Sequence, residues 1–264
     1  TPQAENPRRV MASVLVLDDD VVSGRLMAQQ LRKRNHEVHL CAKSVDAWRR
    51  LDTSPVDIMI LDTELEGEYG WEVLEGIRGD VIFKHLSVLV CSSNSRRDVV
   101  KKYIGLGVQA IVLKPYSAER IHAEVERALA KPWRSNLFEP GESVQTRTGL
   151  TSGGLARLYR ESAQQIDSAL VDLQVLREEP SNAPALAKLG ALRSCGINVG
   201  FKLLATIVDE VRKLAEGGDK ENLGWLLDRL PVAKRLLELQ AGGDVAQGSD
   251  GSSGGETPEG TAAA

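Results

Sequence analysis

Acidic, hydroxyl and basic side chains stand directly after apolar runs at four points of the chain. They are Asp18, Asp19, Asp62, Ser92 and Lys114. Clustered carboxylates persist in proteins when they bind a hard cation such as Mg²⁺. An ammonium and a hydroxyl facing the same point would bind the oxygens of a phosphoryl group. An aspartate beside them is a plausible nucleophile, so the residue types predict phosphoryl transfer to a carboxylate.

The elements that position these side chains are five short apolar segments, which we predict to be strands. They cover residues 14–17, 37–41, 56–62, 86–91 and 110–113. Stretches with helical spacing of apolar residues alternate with them, and such alternation predicts an α/β fold with a doubly wound parallel sheet. The carboxyl ends of parallel strands share one edge, where ligands gather in open α/β sheets. We therefore expect the acidic, hydroxyl and basic side chains to meet there.

Four motifs within residues 13–130 carry a family resemblance: VLVLDDD, DIMILD, VLVCSS and LKP, in this order. This stretch resembles a response-regulator receiver domain of two-component signalling, which has a flavodoxin-like fold. The resemblance implies that Asp62 is the phosphoacceptor. It also implies that Ser92 is the switch hydroxyl, that Lys114 pairs with the phosphoryl group, and that the Lys114–Pro115 peptide bond is cis.

The same resemblance implies a Mg²⁺ site. Its ligands would be the carboxylates of Asp18, Asp19 and Asp62 and the backbone carbonyl of Glu64. Three positions depart from the family pattern, since Glu66 replaces the usual proline, Ile111 replaces the usual aromatic switch residue, and Glu64 adds an acid beside the site. Altered coupling and altered phosphorylation rates are the expected consequences.

The boundaries predicted from composition and periodicity divide the chain into five parts. They are a flexible lead-in at 1–12, the receiver domain at 13–130, a Pro- and Gly-rich linker at 131–154, a helical bundle at 155–240 and a disordered tail at 241–264. The bundle shows four amphipathic stretches, for which an antiparallel four-helix bundle is the simplest packing. Pro231 is expected to kink the last of them.

The segment 189–200 resembles the core of a histidine-phosphotransfer domain that lacks its histidine. Gly190 stands at the histidine position, Arg193 at the lysine position, Ser194 at the following glycine and Gly200 at the later glycine. All four histidines of the chain lie before residue 123, so none replaces the missing acceptor. We expect a bundle that binds proteins and cannot relay phosphate. The alternative is an unrelated helical bundle whose glycines permit close packing.

Bulk composition excludes several classes of function. The net charge is -4, with 33 basic and 37 acidic residues, which gives no general attraction to nucleic acid or to anionic membranes. The three cysteines show no metal-binding spacing and are expected to be reduced thiols of a cytoplasmic protein. No apolar run approaches transmembrane length.

The leading hypothesis is therefore a cytoplasmic response regulator that is not an enzyme. A histidine kinase or a phosphotransfer protein would phosphorylate Asp62, and the bundle would bind a downstream protein. One alternative is a non-phosphorylated scaffold, a pseudo-receiver that sequesters a kinase. Another is the C-terminal fragment of a hybrid histidine kinase, because the chain begins without Met. A phosphatase that uses Asp62 as a transient nucleophile is disfavoured by the short loops and the absence of a cap domain.

Overall fold

The computed structural model of the protein describes residues 11–248, and its side chains as far as residue 242. It divides into two compact units at the bond between Leu137 and Phe138. Among the described residues, no helix combines the length and apolar composition needed to cross a bilayer.

The first unit is built on a five-stranded parallel sheet and a small hairpin. The strands are β1 (Ser13–Leu17), β2 (Glu37–Cys41), β3 (Ile58–Asp62), β4 (Glu64–Leu65), β5 (Glu68–Tyr69), β6 (Ser87–Ser92) and β7 (Ala110–Leu113). The order in the parallel sheet is β2-β1-β3-β6-β7. All residues of β1 and β3 are buried, which explains why β1 is apolar after Ser13 and β3 is apolar until Asp62. The predicted α/β class with five parallel strands is confirmed.

The strand register aligns the carboxyl ends of the sheet. Leu17 lies opposite Leu61, and Asp62 lies opposite Cys91. Ser92 lies opposite Leu113, so the residue after β7 enters the same edge. Strand pairing alone therefore brings the predicted site residues to the same edge of the sheet.

Five helices surround this sheet: α1 (Val21–Arg32), α2 (Ser44–Thr53), α3 (Gly70–Gly79), α4 (Arg97–Gly105) and α5 (Ala118–Ala130). Asp20 caps α1, because its carboxylate accepts hydrogen bonds from the backbone N–H groups of Val22 and Ser23. Ser117 caps α5 in the same way, through the N–H of Arg120. These caps begin both helices immediately after the sheet edge.

The segment predicted as a linker, residues 131–154, is structured instead. It contains a 3₁₀-helix, Trp133–Leu137, and helix α6, Gly141–Thr148. Pro140 directly precedes α6, and Gly149 ends it with a φ of 70°. These residues are helix boundaries, which explains why a stretch with this Pro and Gly content was predicted to be a linker.

The second unit is helical. After α6 it contains α7 (Ser152–Leu173), a 3₁₀-helix (Gln174–Arg177), α8 (Ala183–Asn198), α9 (Lys202–Gly217), α10 (Lys220–Leu227) and α11 (Leu230–Gly248). Helix α7 packs along α11 and α8, and α8 packs against α9. The rings of Phe138 and Phe201 stack with centroids 4.5 Å apart, which anchors the chain entering this unit.

Two predicted boundaries and one predicted kink of this half differ from the structure. Helix α7 begins before residue 155, and α11 runs beyond residue 240 into the predicted tail. The kink expected at Pro231 is absent, because α10 ends at Leu227 and Pro231 lies in the first turn of a new helix, α11. A backbone N–H in the first turn has no helical partner, so proline is tolerated there. Residues 249–264 of the predicted tail lie outside the described residues.

The predicted lead-in is also shorter than expected. Residues 1–10 lie outside the described residues, but Ala12 is buried and its carbonyl accepts a hydrogen bond of 2.8 Å from the N–H of Glu37. Ala12 therefore already belongs to the edge of the sheet.

Two buried histidines are expected to make the stability of the first unit sensitive to acid. His36 is 9% exposed, and its Nδ1 accepts a hydrogen bond of 3.3 Å from the N–H of Ala12, which only a neutral imidazole can do. Burial, assisted by Arg34 and opposed by Glu126, lowers the pKa of His36. Burial, followed by the charges of Arg34 and His36, lowers the pKa of His122.

We predict that the first unit loses stability as the pH falls below about 6.5, where the histidines of an unfolded chain bind protons before the folded ones do. Above that pH both states are neutral and the contribution is fully present. The urea midpoint of the first unit, followed between about pH 7.5 and pH 5.5, checks this. His36→Gln keeps a hydrogen-bond acceptor and should flatten the pH dependence; an unchanged slope would contradict the assignment.

Candidate active site at the sheet edge

Three carboxylates meet at the carboxyl edge of the sheet. Side-chain oxygens of Asp18, Asp19 and Asp62 lie within 4.8 Å of one another. Asp18 follows β1 directly and Asp62 ends β3, and the two are 6% and 8% exposed. Asp19 is half-buried. The structure thus brings together the three side chains that the sequence placed at separate strand ends.

Lys114 supplies the positive charge of this cluster. Its Nζ lies 2.5 Å from Oδ2 of Asp62 and 3.5 Å from Oδ2 of Asp18. Burial works to lower the pKa of Lys114, but the hydrogen bond to Asp62 and the charges of Asp62 and Asp18 outweigh it and raise the pKa. The ammonium is therefore protonated throughout the neutral range. The bond from Lys114 to Pro115 is cis, in agreement with the expectation from the resemblance.

Asp62 is held through both of its carboxylate oxygens. Oδ1 accepts a hydrogen bond of 2.6 Å from the N–H of Thr63 and a longer one of 3.5 Å from the N–H of Glu64, while Oδ2 pairs with Lys114. The thiol of Cys91 lies in the same region, and burial raises its pKa to about 12. At neutral pH this thiol is protonated and is therefore a poor nucleophile.

Ser92 lies at the same edge, with its hydroxyl bonded to the loop beside Asp62. Its Oγ accepts hydrogen bonds from the N–H of Asn94 at 3.0 Å and from Oγ1 of Thr63 at 3.2 Å. The hydroxyl in turn donates to the carbonyl of Asn94 at 3.0 Å. Ser92 is 1% exposed, so these bonds define its position in the folded protein.

The family model of the response regulator receiver domain matches residues 14–126. Residues 14–126 form a response regulator receiver domain. This match covers less than half of the chain and leaves the second unit outside it.

Known proteins with similar sequences agree with the assignment of the first unit. The chain is 26% identical over 115 residues to the chemotaxis protein CheY of Pseudomonas aeruginosa, covering 43% of this chain and 93% of CheY. It is 30% identical over 123 residues to the sensory transduction protein RegX3 of Mycolicibacterium smegmatis, covering 46% of this chain. The chain spans about half of RegX3, 52% of its length.

A solved structure is also similar to part of the chain. The crystal structure of a response regulator receiver protein from Pseudomonas putida covers 45% of this chain and 98% of its own. The TM-score is 0.43 and the sequence identity 24%.

Ser23 is a polar residue in the site of the receiver domain that sequence reasoning missed. Its Oγ donates to Oδ2 of Asp18 at 2.7 Å and accepts from Nζ of Lys114 at 3.4 Å. Ser23 lies in the first turn of α1, directly after the aspartate triplet. The sequence signal that could have identified Ser23 was its position, since it is a hydroxyl residue in the first turn of a helix that begins at the site.

Glu64 lies in strand β4, which begins two residues after Asp62 and pairs with β5 in the hairpin. Its side chain is exposed, and its backbone N–H faces Asp62. The role of its carbonyl as a metal ligand stays a prediction. Ile111, which departs from the family pattern of an aromatic residue, is half-buried on β7.

The residues present fit a divalent cation. Three carboxylates within 4.8 Å face a single ammonium, so two negative charges stay uncompensated at this edge. One Mg²⁺ ion would neutralise them, and carboxylate oxygen is the ligand type that it prefers. Asp18, Asp19 and Asp62 are the residues that would hold it.

The second unit has no imidazole at the position predicted from the histidine-phosphotransfer resemblance. Gly190 lies within α8, and Arg193 on the same helix pairs with Asp209 at 2.7 Å. Gly200 has a φ of 70°, and a Cβ there would lie 2.7 Å from Cγ2 of Val144. Gly200 is thus explained by packing. The family match ends at residue 126, and the phosphotransfer-like interpretation stays a prediction.

Proposed function

We propose that the chain is a two-component response regulator that accepts a phosphoryl group on Asp62 with Mg²⁺. The observation that carries the proposal is the pairing of Asp62 with Lys114 at 2.5 Å inside a cluster of three carboxylates. The sequence match to receiver domains over residues 14–126 supports it.

In the proposed reaction a carboxylate oxygen of Asp62 forms a bond to phosphorus, and the bond from phosphorus to the donor's imidazole nitrogen breaks. Bound Mg²⁺ would neutralise the charge of the phosphoryl oxygens. Thr63 orients the nucleophile, since its N–H bonds Oδ1 of Asp62. Lys114, which already lies beside Oδ2 of Asp62, would pair with a phosphoryl oxygen after the transfer. The hydroxyl of Ser92 would donate a hydrogen bond to another phosphoryl oxygen.

The chain would thus be a stoichiometric acceptor and not an enzyme that turns over a separate substrate. Its donor would be a histidine kinase or a phosphotransfer protein in the cytoplasm. The second unit, which has no histidine, would bind a downstream protein and would not relay phosphate. We propose that it derives from a histidine-phosphotransfer domain, on the basis of Gly190, Arg193, Ser194 and Gly200.

The test is the intact mass of the full chain after incubation with Mg²⁺ and a small-molecule phosphodonor such as acetyl phosphate. We predict a single phosphoryl adduct on the wild type and none on Asp62→Asn. Glu66→Gln is the matched control, because Glu66 is an exposed acid of the same loop and should leave the adduct intact.

An adduct retained in Asp62→Asn would refute the assignment of the acceptor. If the wild type forms no adduct with Mg²⁺ present, the competing proposal of a pseudo-receiver scaffold gains support. Omission of Mg²⁺ should greatly reduce the adduct, because the clustered carboxylates would then repel the anionic donor.

A further inference from the structure

Thr63 links three parts of the site, although neither composition nor motif drew attention to it. It is 3% exposed, and its N–H donates to Oδ1 of Asp62 at 2.6 Å. Its carbonyl accepts hydrogen bonds from the N–H of Gly70 at 3.0 Å and from the hydroxyl of Tyr103 at 3.5 Å. Its own hydroxyl donates to Oγ of Ser92 at 3.2 Å.

The backbone of Thr63 is held in both of the peptide units that flank its Cα atom. Asp62 holds the N–H, while Gly70 and the buried Tyr103 hold the carbonyl. Threonine is β-branched and stiff at χ1, so its side chain has few alternative positions once the backbone is fixed. The Thr63 hydroxyl therefore cannot follow Ser92 if Ser92 moves.

Movement of Ser92 toward Asp62 would break the bond between the two hydroxyls. Thr63 is buried, so water would not readily replace the lost partner, and a buried hydroxyl without a partner is costly. The bond thus stabilises the arrangement in which Ser92 faces the Asn94 loop.

We propose that Thr63 is a positioning residue whose hydroxyl holds Ser92 in its unphosphorylated arrangement and so sets how readily the receiver domain switches. This inference rests on the proposed function, since it requires that Ser92 move to a phosphoryl group on Asp62.

The test uses the full chain with Mg²⁺ and beryllofluoride, a mimic of the phosphoryl group. Thr63→Val removes the hydroxyl and keeps the branched shape, so we expect beryllofluoride to bind about two- to tenfold more tightly, the value of one ordinary hydrogen bond. Thr63→Ser keeps the hydroxyl and should bind like the wild type. In a Ser92→Ala background, Thr63→Val should change the affinity little.

A second readout needs no ligand. The N–H of Asn94 donates to Ser92 Oγ, so its amide signal in a ¹⁵N–¹H NMR spectrum reports on the position of Ser92. This signal should shift in Thr63→Val and stay near its wild-type position in Thr63→Ser. A residue that only stabilises the fold would lower the urea midpoint without tightening beryllofluoride binding.

Three results would overturn the inference. They are equal or weaker binding in Thr63→Val, the same tightening in the Ser92→Ala background, and an Asn94 signal that does not respond to loss of the hydroxyl. The wild type distinguishes failure of this inference from failure of the proposed function. If the proposed function is wrong, the wild type will bind no beryllofluoride and will behave like Asp62→Asn.

Discussion

Replacement of Trp133 by alanine is expected to lower the free energy of unfolding of the first unit by about 3–5 kcal/mol, the usual cost of removing a buried Trp or Phe side chain. Trp133 is 3% exposed, and its indole N–H donates to the carbonyl of Val56 at 2.9 Å. Its ring packs against Phe83 with centroids 6.0 Å apart. The substitution opens a cavity and also leaves the Val56 carbonyl without this donor.

The neighbouring residue strengthens the attachment. Arg134 forms an ion pair with Asp57, whose other carboxylate oxygen accepts a hydrogen bond of 2.8 Å from the N–H of Ser13. The 3₁₀-helix therefore closes the amino-terminal edge of β1 and β3, and the first unit extends beyond α5 to Leu137. Since a domain has about 5–15 kcal/mol of net stability, loss of Trp133 removes a large share.

Urea unfolding with hydrogen exchange of the β3 amides measures the effect, because exchange assigns the loss to one unit. Trp225→Ala is the matched control, since Trp225 is 42% exposed in the second unit and should cost about 1 kcal/mol or less. If Trp133→Ala were no more destabilised than Trp225→Ala, residues 133–137 would behave as part of the linker that the Pro and Gly content of residues 131–154 predicted.

The difference between the predicted linker and the structure has a physical reason. Pro132, Pro140 and Gly149 interrupt helical periodicity, but periodicity does not distinguish a flexible segment from short helices with sharp ends. A single tryptophan in a five-residue helix carries no periodic signal. Its burial depends on a long-range partner, the Val56 carbonyl, 77 residues away in sequence.

The candidate site was predicted more completely, because strand alternation fixes which residues share the sheet edge. Asp18, Asp62, Ser92 and Lys114 all follow from that rule. Thr63 and Ser23 were missed, because their roles depend on side-chain direction within a loop and a first helical turn. Only the packed structure gives such directions, and hydroxyl residues are common in both places.

Gly70 is the position of the site at which an added methyl group should have the largest effect. A Cβ on Gly70 would lie 2.2 Å from the carbonyl oxygen and 3.2 Å from the carbonyl carbon of Asp62, and 2.9 Å from the hydroxyl of Tyr103. The first two atoms are backbone, and Asp62 pairs with Cys91 inside the parallel sheet. Neither the strand nor the start of α3 can move without breaking hydrogen bonds.

We predict that Gly70→Ala lowers the free energy of unfolding by about 3 kcal/mol, near the upper end of the usual cost of overpacking. We also predict that the folded variant accepts phosphate more slowly, on the order of 100-fold, since a displacement near 1 Å at a reacting group has an effect of that size. Urea unfolding gives the first quantity. The initial rate of adduct formation with acetyl phosphate and Mg²⁺ gives the second.

Gly79→Ala separates these effects from helix propensity. Gly79 ends the same helix, and no atom lies within 4 Å of a Cβ placed on it, so its replacement should change stability by about 1 kcal/mol or less and leave the rate unchanged. A Gly70→Ala protein that is destabilised but accepts phosphate at the wild-type rate would show that α3 yields while Asp62 stays in place. A slow rate in a protein still folded at the assay temperature would mean that the close approach of Gly70 to Asp62 is what holds the acceptor in position.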